Sequence, residues 1–114
     1  MARDNWHMER VEGAVTLSRR LPARWDVAAE AQLPPGSMSR IAHQVRQDLW
    51  RALQRLRGFS PAVRVERDEA GLRVVAGGAV AGTVPPGTAA RIREVLDDPA
   101  NRARWVRHAQ KGRS

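Results

Sequence analysis

RIAHQVRQDLWRALQRLRGF, residues 40–59, is the stretch whose reading decides the fold. It carries five arginines, one aspartate and a tryptophan. With Met38 before it, apolar residues recur at Ile41, Ala42, Val45, Leu49, Leu53 and Leu56. Steps of three and four residues place them on one side of an α-helix, at about 100° per residue. Ser37 supplies an N-cap after the helix-breaking Pro34-Pro35, and Gly58 supplies a C-terminal glycine. The spacing predicts a helix over residues 37–57 with its apolar side on a core.

Outward from this helix the chain alternates. In residues 24–33, RWDVAAEAQL, the residues Trp25, Val27, Ala29, Ala31 and Leu33 face one way. That period of two predicts a half-buried strand with Trp25 inside. Residues 9–18, ERVEGAVTLS, read as a single weaker strand, joined to it as a hairpin through RRLPAR. Residues 62–84 read as a three-stranded meander, with turns at Glu69-Ala70-Gly71 and at Gly77-Gly78. Thr88 caps a short helix carrying Ile92, Val95 and Leu96, and Asp98-Pro99 opens a second.

The expected architecture is one α+β domain over residues 1–114, in the order β-β-α-β-β-β-α-α. An antiparallel sheet is covered by the long amphipathic helix, followed by two short C-terminal helices. Residues 1–9 and 111–114 are expected to be flexible. Helix, three strands, helix over residues 37–96 resembles the topology of the double-stranded-RNA-binding domain. At the start of the second helix, where that family is lysine-rich, this chain has Thr88-Ala89-Ala90-Arg91.

At 114 residues the chain can bury a core without staples, and it contains no cysteine. Disulfides, thiolate nucleophiles and thiolate metal sites are therefore excluded. No apolar run reaches the roughly 20 residues that span a bilayer, so a cytoplasmic protein without a membrane partner is expected.

The net charge is +8, with 20 basic and 12 acidic residues. Residues 1–35 and 59–86 are each neutral. Residues 36–58 carry five basic groups against one acidic, and residues 87–114 carry seven against three. The whole excess falls on segments that read as helical. Such an excess favours polyanionic partners.

Arg40, Arg46, Trp50, Arg51, Arg55 and Arg57 mix guanidiniums with an aromatic. That pairing suits phosphate contact with base stacking. Arg102, Arg104 and Arg107 form a second basic cluster. A solvated helix face and cations complementing a helix C-terminus are the plain structural alternatives.

Catalytic chemistry is poorly supported. His7, His43 and His108 are not paired at helical spacing, and no cofactor or metal motif is present. Asp97-Asp98 reads as helix punctuation. The expected function is a non-catalytic domain that binds RNA or DNA weakly and without sequence preference. The alternative is a protein-interaction module, for an acidic protein or a second copy, anchored by Trp50 or Trp105.

Overall fold

The computed structural model describes residues 6–110. They form one compact α+β domain with the order β-β-β-α-β-β-α-α. The strands are β1 (His7–Val11), β2 (Ala14–Ser18), β3 (Val27–Leu33), β4 (Phe59–Asp68) and β5 (Gly71–Val80). The helices are α1 (Met38–Ala52), α2 (Thr88–Asp97) and α3 (Pro99–Gln110). The sheet runs β1-β2-β4-β5-β3, antiparallel throughout. Most of the stretches expected to be flexible lie outside the described residues, but His7–Glu9 belong to β1.

Residues 9–18 are not one strand. Gly13, at φ 76°, turns the chain so that Val11 faces Ala14 and a tight hairpin closes. The expected pairing of this segment with residues 24–33 does not form. β3 lies on the far edge of the sheet, beside β5, and residues 19–26 carry the chain there past the ends of β4 and β5. The crossing is pinned by the Asp26 amide, which donates to the Gly78 carbonyl at 2.9 Å. Trp25 stays outside β3 and 37% exposed, contrary to the buried position its alternation suggested.

The Gly77-Gly78 turn is also absent. Both residues lie within β5, paired on one side with Ala28 and Val27 and on the other with Ala62 and Pro61. A Cβ on Gly77 would strike the Val27 carbonyl, and one on Gly78 would strike that of Ser60. The glycines are there because two neighbouring backbones come close, the second role of glycine in a strand. Two strands, not three, therefore separate α1 from α2. The helix, three-strand, helix order of the double-stranded-RNA-binding domain is not formed.

Ser37 caps α1 as read, its Oγ accepting from the Arg40 amide at 3.3 Å. The helix ends at Ala52, and residues 53–57 are a turn rather than a last helical turn. Thr88 does not cap α2. Gly87 is the cap residue, and the Thr88 hydroxyl donates to the Pro85 carbonyl at 2.7 Å. Asp98 caps α3 through bonds from the Ala100 and Asn101 amides.

The helices cover one face of the sheet. Leu17, Val63, Val65, Leu72, Val74 and Ala76 meet Ile41, Val45 and Leu49 of α1, Ile92 and Leu96 of α2, and Trp105 of α3. Burial of this apolar surface is the main term holding the layers together.

The opposite face carries charge arranged across the strands. Arg73 of β5 grips Glu30 of β3 at 2.6 and 3.0 Å and reaches Glu66 of β4 at 3.0 Å. Arg64 meets Glu66 at 2.7 Å and Thr16 of β2 at 3.0 Å. Two arginines and two glutamates cancel, so this face offers no net positive field.

Hydrogen bonds from Arg73 hold the Glu30 carboxyl below its ordinary value of 4.5. Bonds from Arg64, then Arg73, do the same for Glu66. A carboxyl depressed in the folded state stabilises above its unfolded value and loses that contribution as pH falls through the folded one. Stability should therefore drop progressively once the pH passes below about 4.5. Thermal unfolding between neutral and acid pH measures it. The Glu30→Gln/Glu66→Gln variant should show a shallower acid decline, and an unchanged decline would exclude this network as its source.

Candidate nucleic-acid interface

The candidate arginines divide into those that hold the fold together and those that face solvent. Asp48 makes the division. It is the only acid in α1, and it sits in the apolar register, three residues after Val45 and seven after Ile41. Its side chain is 8% exposed. Trp105, fully buried, donates its indole Nε1–H to Asp48 Oδ2 at 2.6 Å. Arg104 adds Nη1 at 2.9 Å and Nη2 at 3.3 Å, one to each carboxylate oxygen. Arg51 approaches Oδ1 at 3.4 Å. A buried carboxylate needs such partners, because an uncompensated charge in the interior is strongly unfavourable.

Arg104 therefore clamps α3 onto α1, and Trp105 cannot anchor a partner because no part of it reaches the surface. Arg102, half-buried, is likewise tied to the fold. It donates to the Leu96 carbonyl at 3.2 Å and to the Gln32 carbonyl of β3 at 2.6 Å. Of the C-terminal cluster only Arg107 is an exposed cation. Arg40 is exposed in the first turn of α1, far along the helix from Arg55 and Arg57, which lie beyond its end.

Arg46 is half-buried and stacked. Its guanidinium lies 4.6 Å from the centre of the Trp6 ring, and Arg19 lies 5.3 Å from the same ring. Register explains the arrangement: His7 pairs with Ser18, so the residues just beyond them, Trp6 and Arg19, are neighbours at the hairpin's open end. Trp50, one helical turn after Arg46, is 49% exposed. His43 is exposed on the same outer side of α1. Among the described residues, no group of three His, Asp or Glu side chains is placed to hold a metal ion.

Two concave surfaces meet at the end of α1. One has a volume of about 700 Å³ and is lined by Arg51, Arg55 and Arg91, with Leu53, Leu56 and the Pro85–Gly87 turn. The other, about 580 Å³, is lined by Arg19, Arg20 and Arg24, with Leu56, Phe59 and Ser60. Leu56 belongs to both walls, so six arginines line one interrupted groove. No carboxylate is among the lining residues.

Three of the six arginines have further bonds, Arg51 among them through Asp48 at 3.4 Å. Arg91 donates to the Ala52 carbonyl at 3.3 Å, which fixes α2 against the end of α1. Arg24 is paired with Asp26 at 2.8 Å, and that bond, with the Val80 amide second, holds Asp26 below its ordinary value of 3.8. α2 opens into the first cavity with Gly87 in place of a capping side chain. Its unopposed amides add positive potential there.

Arg51 and Arg55 were legible as candidates. Arg19, Arg20 and Arg24 were not, because residues 1–35 sum to zero, and Arg91 stands in α2, apart in sequence from both basic clusters. Glu30 pairs with Arg73 on the open sheet face and Asp26 with Arg24, and the crossing of residues 19–26 brings Arg19, Arg20 and Arg24 to the end of α1. Asp48 left a usable signal: a single acid inside an apolar register demands a buried basic partner.

Among the described residues no helix is long and apolar enough to cross a membrane. Comparison of the chain with protein-family models, with curated proteins and with solved structures found no match.

Proposed function

We propose that this domain binds the phosphate backbone of a nucleic acid in the groove at the end of α1, without reading sequence. The observation that supports this is the collection of six arginines from three separated parts of the chain on two adjoining concave surfaces with no carboxylate among their lining residues. On the open sheet face and around Asp48 charge is balanced locally. Here it is left in excess. Guanidinium groups match phosphate geometry and remain charged at any physiological pH. Arginine contacts to phosphate position a polyanion and carry no base information.

The reading moves the contact surface from the whole 37–57 segment to its end. It retains Arg51 and Arg55, leaves Arg102 and Arg104 to the fold, and adds the 19–24 connection and Arg91. Fluorescence anisotropy with labelled RNA and DNA across a salt series tests it. Log affinity should fall linearly with log salt concentration, with a slope of roughly −3 to −5 for four to six phosphates neutralised. Absence of binding at about 50 mM salt, where screening is weak, would overturn the proposal.

Exposed Trp50 favours a second reading, association with another protein or a second copy through the outer side of α1. Sedimentation at increasing concentration separates the two. A monomeric mass throughout removes self-association.

A further inference from the structure

We propose that the nucleic acid bound here is an unpaired strand, with its bases stacked along an aromatic and arginine edge that ends in the smaller cavity. This rests on the groove reading above and adds the substrate class. The edge is built from three parts of the chain. Trp50 stands on α1 one turn from Arg46, Arg46 stacks on Trp6, and Trp6 stacks on Arg19. Arg19 in turn lines the cavity of about 580 Å³ with Arg20 and Arg24, over an apolar floor of Leu56 and Phe59. Cations and aromatic rings therefore alternate from the helix to the cavity.

That alternation suits a single strand and not a duplex. Every base has a π-face that stacks on tryptophan or on a guanidinium plane, but in a duplex those faces are already stacked on each other. A duplex also presents a convex rod, whereas a cavity of this volume is of the size that encloses one small molecule or one splayed nucleotide. Trp50 and Trp25 supply the exposed rings: 49% and 37% of their surface is open. Trp25 adjoins Arg24 in the same connection that carries Arg19 and Arg20. A buried structural tryptophan would serve neither purpose, and Trp105 shows what one looks like in this fold.

The test compares oligothymidine and oligouridine strands of about 12 nucleotides with a duplex of equal length, at one salt concentration. The expected result is single-strand affinity at least tenfold above duplex affinity, with quenching of tryptophan emission on binding. Trp50→Ala should lower single-strand affinity about tenfold and leave duplex affinity unchanged, while Trp50→Phe recovers part of the loss. Trp50 is exposed, so these variants keep the fold, and circular dichroism verifies it. Equal affinities with Trp50→Ala neutral, or tighter duplex binding, would overturn the single-strand inference and leave backbone binding in the groove intact. Failure of both nucleic acids to bind would instead remove the groove reading itself.

Discussion

Replacing Asp48 with alanine should destabilise the domain by about 2–4 kcal/mol, from a buried donor left without its acceptor and the loss of a charge-assisted pair with the half-exposed Arg104. The loss has three parts. Trp105 Nε1–H, fully buried, is left without its acceptor at 2.6 Å. Arg104 keeps a charge at the α1–α3 junction with no carboxylate to meet it. The Asp48 side chain, itself buried, also leaves a space where α1 meets α3. Asp48→Asn keeps an acceptor for the indole and removes only the charge, so it should cost less, about 1.5–3 kcal/mol. Urea unfolding of the three proteins measures the differences as shifts in midpoint at constant slope. A loss below about 0.5 kcal/mol for Asp48→Ala, the size of an ordinary surface substitution, would mean that the cluster does not hold α3 in place.

The same cluster shows how far the sequence could be read. The class of fold, the register of α1, its Ser37 cap, the alternation of Val27–Leu33 and the Asp98-Pro99 start of α3 were all legible, because each depends on neighbours a few residues away. The misread elements depend on what another part of the chain does. Gly77-Gly78 has the composition of a hairpin turn, and only the approach of β3 and β4 from either side explains its place inside β5. The partner of β3 could not be read from RRLPAR, whose length permits a hairpin but does not require one. Trp25 fits an alternating pattern whose strand starts only two residues later, at Val27. Arg102 and Arg104 look like free surface cations in a basic tail, and are half-buried and bonded to the fold only because α3 packs beside α1 and β3. The groove was half legible for the same reason. Arg51 and Arg55 stand in one run, Arg91 comes from α2, and Arg19, Arg20 and Arg24 reach the groove through a chain crossing that net charge by segment conceals.

Charge reversal within the groove should abolish most nucleic-acid binding, and it tests the central claim most directly. Arg20→Glu, Arg55→Glu and Arg91→Glu each change an exposed side chain lining one of the two cavities. None of them touches the Asp48 cluster. Arg10→Glu, Arg67→Glu and Arg93→Glu change exposed arginines that line neither cavity. Three reversals remove six units of charge, so both triple variants fall from +8 to +2. Any difference between them therefore reports position and not total charge. A lost charge-assisted contact is worth about tenfold or more in affinity, and each neutralised phosphate contributes roughly one unit of salt slope. Anisotropy titration of the two variants against one labelled single strand, across the same salt series, is the measurement. The account predicts a loss of about a thousandfold and a slope shallower by about three for the groove variant, with a much smaller loss and a retained slope for the control. Equal losses in the two variants would contradict it, and would reduce the binding to the attraction of any polyanion for a basic protein.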